Sequence, residues 1–216
     1  MNPLQDSLPA EPMQPLAAWV DEAWQQDISP NANSMVLSTV AVQKGEILPS
    51  SRVVLCKHMD IEAGYLVFYT NYDSRKGAEL ERTANATAVF HWDALGRQAR
   101  IEGIVVRSPV EESDHYFASR PRDSQISAWA SAQSEPVASR KALRAQLIEA
   151  EDRYRDAESV PRPPHWGGYR LWASAVELWV QGENRLHDRA RWIRTVAMDN
   201  NGDPHPDHWS VTRLQP

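Results

Sequence analysis

Short runs of β-branched and aromatic residues, each soon ended by a turn, place the strongest limit on the fold of this chain. Such residues fit a pleated, half-buried surface, whereas glycine, asparagine and proline interrupt it, so the runs predict strands. The predicted strands are 35–42, 47–57, 65–70, 86–92, 98–107, 169–173, 176–181, 189–195 and 209–214. Many short strands in antiparallel succession, with helices at intervals, predict a mainly β fold: an antiparallel β-barrel that carries peripheral helices.

Helical spacing of apolar residues predicts the helices that lie between these strands. They are a helix from Leu16 that ends before Asp27, then 74–83, 110–119, 124–130 and 136–156. Ser74 is placed to cap the second helix, and Pro136 to occupy the first position of the longest one. Residues 1–15 contain four prolines and no lysine, arginine or tyrosine, which predicts an irregular and mobile lead-in. Residues 16–216 are predicted to form a single domain.

Composition argues against several classes of protein. The net charge of −6 opposes wide contact with nucleic acid, which needs many spread cations. The single cysteine, Cys56, rules out an intramolecular disulfide and lies in an apolar run, so we expect a packed, inert thiol. No apolar run resembles a signal peptide or a membrane span, so we expect a cytoplasmic protein without membrane contact. His205 and His208 lack the spacing of a metal site, and we expect no metal.

Arg185, His187 and Arg189 form the densest cluster of candidate functional groups. If this segment is extended, alternation puts all three side chains on one face, where they could bind an anionic, nitrogen-rich ligand. Solvated charged strands are common, and for this cluster alone that interpretation stays open.

A strand and a helix start carry two more clusters. Arg52 and Lys57 are separated by an odd number of positions, which places them on opposite sides of an ideal strand and predicts contacts to two ligands or two subunits. Arg75 and Lys76 follow Ser74 at a helix start, where backbone amides and cations could cradle a phosphate.

The fourth cluster lies between two predicted helices. Tyr116 and Arg120 are one helical turn apart and close to Ser124, so two hydroxyls and a guanidinium could surround a second phosphate. Taken one at a time, such cations are more often solvated, and composition does not decide between the two interpretations.

Taken in order, these clusters resemble the pyridoxamine 5′-phosphate oxidase family of flavin enzymes. The likeness covers residues 35–216 and rests on the segments SRVVLCK, FYTNYDSRKG, FASRPRDSQISAWASAQS, HWGGYR, ELWVQGENRLHDR and the terminal RLQP. Long segments of this kind, far apart in one chain, are hard to obtain by chance. The resemblance implies an FMN-binding split β-barrel and a homodimer with FMN at the subunit interface.

The resemblance also assigns residues to the ligands. For FMN it implies Arg52, Val53, Val54, Leu55, Cys56, Lys57, Tyr69, Thr70, Arg75, Lys76, Gln98, Gln133, Ser134, Trp179 and Arg189. For the substrate phosphate it implies Lys57, Tyr116, Arg120 and Ser124, and near the substrate ring Arg185 and His187, the candidate catalytic residues. Arg185 would pin the substrate and Arg189 would stabilise negative charge on the reduced flavin. His187 would accept or relay a proton, or make contact only.

The activity that the resemblance implies is oxidation of pyridoxine or pyridoxamine 5′-phosphate by dioxygen to pyridoxal 5′-phosphate, with release of hydrogen peroxide and, from the amine, ammonia. Two alternatives stay open: a related flavin oxidase of the phenazine-biosynthesis type, and a non-catalytic carrier of flavin or pyridoxal phosphate. The complete substrate-phosphate set favours the vitamin B6 substrate, since a buried polar clamp without its phosphate is costly.

Two segments depart from the family pattern. Some members have a basic N-terminal segment that folds over the substrate, whereas residues 1–15 offer no cation for this closure. The polar stretch 199–208 predicts an extended hairpin loop.

Overall fold

A computed structural model describes residues 3–216 of the chain. Its helices are α1 (Met13–Gln25), α2 (Arg75–Arg82), α3 (Val110–Ser119), α4 (Arg122–Ala130) and α5 (Arg140–Tyr154). Its strands are β1 (Ser34–Gln43), β2 (Glu46–Leu55), β3 (His58–Asp60), β4 (Tyr65–Asn71), β5 (Asn85–Trp92), β6 (Arg97–Arg107), β7 (Trp166–Val180), β8 (Asp188–Ile193), β9 (Val196–Met198), β10 (Pro204–Pro206) and β11 (Ser210–Leu214). The mainly β architecture with peripheral helices is confirmed.

Antiparallel pairing arranges the main sheet as a split barrel. The pairs β1–β5, β5–β6, β6–β7 and β7–β4 follow one another, and β3 pairs with β4. β2 pairs with β1 along its whole length and leads into β3 through Cys56 and Lys57, which brings the two ends of this path together. The barrel splits at β7, whose first half pairs with β4 and whose second half pairs with β8.

The interior of the barrel is a continuous apolar core. Leu37, Phe68, Phe90, Ile101 and Leu171 come from five different strands and are fully buried there. Burial of such a side chain stabilises the fold by roughly 1.5–3 kcal/mol relative to exposure. The core therefore holds the strands that position the site described below.

Helix α1 packs against this core. Leu16 is fully buried, and the ring of Trp19 meets Trp92 edge-on at 6.3 Å between centroids. The helix starts at Met13, three residues before the predicted Leu16. Pro15 does not prevent this start, because the first turn of a helix has backbone N–H groups without helical partners.

Residues 3–12, before α1, form no helix or strand, as predicted, but they are held against the barrel; residues 1 and 2 of the predicted lead-in lie outside the described residues. The backbone N–H of Leu4 donates to a carboxylate oxygen of Asp188 at 2.8 Å. The indole N–H of Trp192 donates to the carbonyl oxygen of Pro9, also at 2.8 Å. The lead-in therefore rests on strand β8.

One long strand replaces the two strands predicted over 169–173 and 176–181. β7 runs without interruption, and its register with β6 shifts between Glu102 and Gly103, leaving Ser174 as the extra residue of a bulge. The Ser174 hydroxyl donates to the carbonyl oxygen of Glu102 at 3.1 Å. A bulge breaks the alternation of side chains without ending the strand, which explains the wrong prediction.

Helix α5 starts at Arg140 and not at Pro136. Ser139 is its N-cap: the hydroxyl accepts a hydrogen bond from the backbone N–H of Ala142 at 3.1 Å. A serine N-cap stabilises one particular helix start, whereas a proline is merely tolerated at the first helical position. The helix therefore begins after Ser139, and residues 131–139 remain available for a turn beside the site.

Helices α3, α4 and α5 pack as a group against the start of β7. Phe117, Ile126, Tyr154 and Trp166 form an apolar cluster separate from the barrel core. Beyond β8, strands β9 and β10 pair as the hairpin expected around 199–208. None of the helices within residues 3–216 is long and apolar enough to cross a membrane.

Candidate active site

A cavity of about 940 Å³ is lined by residues of the edge strand β2, of β4 and of helices α2, α3 and α4. This volume is typical of small-molecule sites. Of the residues assigned to ligands from the sequence, it brings together Arg52, Val53, Val54, Leu55, Lys57, Tyr69, Thr70, Arg75, Lys76, Tyr116, Arg120, Ser124, Gln133 and Ser134. Segments far apart in the sequence thus form one site.

Arg52 and Lys57 line the same cavity, so the opposite placement expected on an ideal strand does not separate them; contacts to two ligands stay a prediction. β2 ends at Leu55, and Lys57 lies in the connection to β3, where strand alternation no longer applies. Cys56 does not line the cavity: its thiol is buried and donates to the carbonyl oxygen of His58 at 3.3 Å. Burial raises the pKa of the Cys56 thiol to about 12, so the thiol is inert at neutral pH, as expected.

Helix α2 brings a buried lysine to the cavity. Ser74 caps the helix, as predicted, and a Cβ on Gly77 would lie 1.9 Å from a backbone oxygen, so only glycine fits this first turn. The ammonium of Lys76 donates to Thr70 Oγ1 at 2.8 Å, to Ser74 Oγ at 3.1 Å and to Gln133 Oε1 at 2.8 Å. All three acceptors are neutral.

Burial lowers the pKa of Lys76 to about 8, and the charge of Arg52 lowers it further than Glu79 restores it. A buried ammonium surrounded by neutral acceptors keeps most of its positive charge uncompensated. The site around Lys76 is therefore one that an anion would stabilise.

Glu79 is a member of the site that sequence reasoning missed. Its buried carboxylate accepts hydrogen bonds from Thr39, from Ser50 at 2.8 Å, from Arg75 Nε at 2.8 Å and from Arg52 Nη2 at 3.3 Å. Burial alone would raise its pKa, but the hydrogen bonds from Thr39, Ser50 and Arg75 outweigh burial and lower the pKa to about 2. The i,i+4 spacing from Arg75 was the available sequence signal.

Stacked aromatic rings form another wall of the cavity. Tyr69 lies parallel to Tyr116 at 3.8 Å between ring centroids, and to Trp166 at 5.5 Å. The guanidinium of Arg120 lies over the Trp166 ring at 4.5 Å. The Nη1 atom of Arg120 is buried and has no hydrogen-bond acceptor among residues 3–216. Burial lowers the pKa of Arg120, so this guanidinium, like Lys76, would be stabilised by an anion.

Three other residues assigned to the cofactor lie outside this cavity. Gln98, Trp179 and Arg189 are direct neighbours across β6, β7 and β8 and form one row on a face of the sheet. Arg189 donates from Nε and Nη2 to Glu177 Oε1, at 3.0 and 2.7 Å. Sequence reasoning missed Glu177, which is buried and holds the Arg189 side chain in place.

The extended conformation predicted for Arg185, His187 and Arg189 is wrong. Arg185 ends a 3-10 turn and, with Asn184, has a positive φ, so strand alternation begins only at β8. The backbone reverses so tightly here that a Cβ on Gly182 would lie 1.8 Å from the carbonyl oxygen of Leu186, so only glycine fits at this position. His187 Nδ1 accepts the backbone N–H of Gly182 at 3.2 Å, and its ring lies 4.6 Å from that of Trp179, whose row includes Arg189.

Family models match most of the chain. Residues 20–154 match the model described as pyridoxamine 5′-phosphate oxidase, and residues 166–216 match the pyridoxine 5′-phosphate oxidase C-terminal dimerisation region. The chain belongs to the pyridoxamine 5′-phosphate oxidase family. It is accordingly an FMN-dependent oxidoreductase, and the C-terminal match makes it a homodimer.

Individual relatives agree with this membership. The pyridoxine/pyridoxamine 5′-phosphate oxidase of Herminiimonas arsenicoxydans is 48% identical, with 96% of this chain and 90% of the relative covered. That of Salinibacter ruber is 43% identical, with 98% and 92% covered. Among solved structures, PhzG from Burkholderia lata, in complex with tetrahydrophenazine-1-carboxylic acid, matches with a TM-score of 0.82 at 33% identity, covering 98% of this chain and 95% of that one.

A more distant structure supports the fold alone. A pyridoxamine 5′-phosphate oxidase-related, FMN binding protein from Nostoc punctiforme matches with a TM-score of 0.66 at 15% identity, covering 97% of this chain and 99% of that one. The split barrel predicted from the sequence is confirmed.

The residues present fit FMN. The phosphate of FMN needs cations and hydrogen-bond donors that are not already neutralised, and the Lys76 ammonium contacts only neutral oxygens. Arg75 adds a guanidinium at the start of the same helix, where the backbone amides favour anions. We therefore expect Lys76 and Arg75 to hold the FMN phosphate.

We expect the affinity of the apo-protein for FMN to fall as the pH rises through about 8. Lys76 has a pKa of about 8 in the folded chain, and only its protonated form attracts the phosphate. Above this pH the dissociation constant should rise by up to about tenfold per pH unit. Quenching of FMN fluorescence, titrated between pH 6.5 and 9.5, measures the change.

Lys76→Arg is the control for this pH dependence, because an arginine stays charged over the whole range and should give a flat profile. The free energy of unfolding of the apo-protein should instead increase over the same pH range. The unfolded lysine still binds its proton when the buried one has lost it, so Lys76 makes the apo-protein more stable as the pH rises above 8. A wild-type dissociation constant that stays flat up to pH 9.5 would contradict the assignment.

Proposed function

We propose that this protein oxidises pyridoxine 5′-phosphate or pyridoxamine 5′-phosphate to pyridoxal 5′-phosphate, with dioxygen as the final acceptor. Hydrogen peroxide is released, and the amine substrate also releases ammonia. The observation that carries this proposal is one cavity lined by Lys76 and Arg120, two cations that pair with no carboxylate of residues 3–216. Two such positions suit two phosphates, one of FMN and one of the substrate. The cytoplasmic location expected from the sequence stays a prediction.

The substrate phosphate is assigned to Lys57, Tyr116, Arg120 and Ser124. They come from the β2–β3 connection, from α3 and its C-cap, and from the first turn of α4, and all four line the cavity. Lys57 and Arg120 supply two positive charges, and Tyr116 and Ser124 supply hydroxyl donors. A clamp of this kind binds a phosphate and leaves the reacting end of the substrate pointing elsewhere in the cavity.

We assign to FMN the residues that the resemblance implied, except for the side chain of Cys56, which does not line the cavity. At the phosphate we place Arg75, Lys76, Gln133 and Ser134; Ser134 has a φ of 77° and accepts the backbone N–H of Arg75 at 3.2 Å. The rest of the set is Arg52, Val53, Val54, Leu55, Lys57, Tyr69, Thr70, Gln98, Trp179 and Arg189.

The site is composite across the homodimer. Gln98, Trp179 and Arg189 are absent from the cavity of their own chain, as far as residues 3–216 describe it, and so are Arg185 and His187. The last four of these lie in the matched dimerisation region, 166–216. This supports an arrangement in which one protomer supplies the cavity and its partner supplies the row and the turn, with FMN at the interface.

Held at its phosphate by Arg75 and Lys76, FMN would supply the redox chemistry, the transfer of two electrons from the substrate to dioxygen. Beside it, Glu177 would hold the Arg189 guanidinium in a fixed orientation. Because Arg100 pairs with the same carboxylate, the three groups keep a net positive charge, which would favour negative charge on the flavin.

Arg185 is exposed and has no ion pair among residues 3–216, so its guanidinium is free to bind substrate. Since His187 Nδ1 accepts the N–H of Gly182, the neutral ring carries its proton on Nε2 and can donate it there.

The PhzG match favours one second candidate, an oxidase of a phenazine precursor. The identity of 33% to that structure is lower than the 48% and 43% to the two oxidases of vitamin B6 phosphates. The uncompensated guanidinium of Arg120 also favours a substrate that carries a phosphate. Peroxide release on pyridoxine 5′-phosphate, compared with a reduced phenazine carboxylic acid, separates the two functions.

Arg120→Ala should raise the KM for pyridoxine 5′-phosphate and leave bound FMN unchanged. A charge-assisted contact is worth about 1.5–3 kcal/mol, which corresponds to a rise of about 10- to 150-fold. If chemistry limits turnover, kcat should change little, because the contact exists in both ground and transition states. Peroxide assays over a range of substrate concentrations, with the flavin spectrum recorded in parallel, measure both quantities.

The matched control is Arg144→Ala, which removes an exposed arginine of α5 and should leave KM as it is. A wild-type protein that oxidises unphosphorylated pyridoxine as well as its phosphate would contradict the clamp and, with it, the proposed substrate.

A further inference from the structure

The arginines around the cavity fall into two groups. Arg52 and Arg75 both bond to Glu79, so their charge is shared with a carboxylate. Arg120 forms no ion pair and no side-chain hydrogen bond among residues 3–216, although it is only partly exposed and its Nη1 is fully buried. An arginine in this state needs some other support, because burial without a partner is costly.

The support for Arg120 is aromatic. Its guanidinium lies 4.5 Å from the centre of the Trp166 ring and 5.6 Å from that of Phe117. Both distances are within the range at which a ring face attracts a cation, and tryptophan gives the strongest such attraction. Trp166 is therefore the principal contact that stabilises the guanidinium in the absence of a carboxylate.

The Trp166 ring is itself held firmly. It is the first residue of β7, paired with Asn71 at the end of β4, and only 7% of its surface is exposed. Phe117 meets the ring edge-on at 5.2 Å, and Tyr69 and Tyr116 lie nearly parallel to it at 5.5 and 6.2 Å. A ring fixed by packing on several sides gives the guanidinium above it a fixed position.

We propose that Trp166 is a positioning residue for substrate binding, which holds the Arg120 guanidinium at the cavity without neutralising it. A carboxylate in its place would fix Arg120 equally well, but it would cancel the charge and repel the incoming phosphate. An aromatic face fixes the guanidinium and leaves its charge for the ligand. The inference rests on the proposed function, since it names the support of the proposed phosphate clamp.

The test compares Trp166→Leu and Trp166→Phe in the FMN-loaded enzyme. Leucine removes the cation–π contact, and kcat/KM for pyridoxine 5′-phosphate should fall about tenfold. Phenylalanine keeps an aromatic face and should restore part of this loss. The ratio of kcat/KM for pyridoxine 5′-phosphate to kcat/KM for unphosphorylated pyridoxine should therefore fall in Trp166→Leu and recover in part in Trp166→Phe. Inhibition by inorganic phosphate should weaken in parallel.

Trp129→Leu is the control, because Trp129 packs in the same apolar cluster and does not line the cavity. It should lower the melting temperature as the Trp166 variants do, without changing the preference for the phosphorylated substrate. If wild type prefers that substrate and both Trp166 variants keep the full preference, the positioning role is overturned. If wild type shows no preference, the proposed function fails instead. Trp166→Phe keeps the test valid should Trp166→Leu not fold.

Discussion

Replacing Lys76 and Arg75 together by alanine should weaken FMN binding by about a hundredfold or more. Each removes a charge-assisted contact worth about 1.5–3 kcal/mol, and about 1.4 kcal/mol corresponds to tenfold in affinity. The two are not equivalent. Arg75 is 60% exposed and bonds to Glu79, whereas Lys76 is 8% exposed and, within residues 3–216, donates to neutral oxygens alone. Lys76→Ala alone should therefore account for most of the loss.

Flavin retained after dialysis, followed by fluorescence titration of the apo-protein, measures this series. Arg82→Ala is the control, since Arg82 is an exposed arginine in the last turn of the same helix. The double variant should still fold, because Lys76→Ala removes a buried charge whose desolvation costs stability. Unchanged flavin retention in a folded double variant would show that the FMN phosphate binds elsewhere.

Mixed dimers of two variants that are each impaired at low substrate concentration should recover about half of the wild-type rate at that concentration. If Arg120 acts from one protomer and Arg185 from its partner, a dimer of one Arg120→Ala chain and one Arg185→Leu chain has one site with both changes and one with neither. Arg185 is exposed and makes no ion pair among the described residues, so Arg185→Leu should not disturb the fold. Co-expression with two affinity tags isolates the mixed dimer.

The assay uses pyridoxine 5′-phosphate below the wild-type KM, where loss of the clamp has its largest effect. The matched control pairs Arg120→Ala with Lys57→Ala, two changes on the cavity side, which leave one change in every site and should give no recovery. If the first pair also fails to recover although the mixed dimer is intact and contains FMN, the composite site is wrong. Each of the two homodimers should have little activity by itself.

Local sequence pattern determined most of the elements of this protein. Alternating β-branched segments gave strands close to β1, β4, β5 and β6, and Ser74 marked the start of α2, because side-chain period and capping act over a few residues. The motif residues also indicated which chemical groups are candidates for binding anions. The family resemblance added the split barrel and FMN, which the family match confirms.

Tertiary structure decided what these local patterns could not. Whether Arg52 and Lys57 share a cavity depends on where β2 ends. Whether Ser174 interrupts a strand or forms a bulge depends on the register of β7 with β6. Arg185 lies in a turn and not in a strand, because Gly182 permits the chain to reverse tightly there. The alternation of side chains along a strand does not predict such a turn.

The same holds for the groups that tune the site. Glu79, Glu177 and Trp166 acquire their roles from residues distant in the sequence: Arg52 of β2 reaches Glu79 of α2, and Arg120 meets Trp166 although helices α4 and α5 lie between them in the sequence. Electrostatic interactions depend on distance and burial in three dimensions. Local sequence thus identifies the candidate groups for phosphate binding, whereas the contacts made in the folded chain set which of these candidates lack a carboxylate partner.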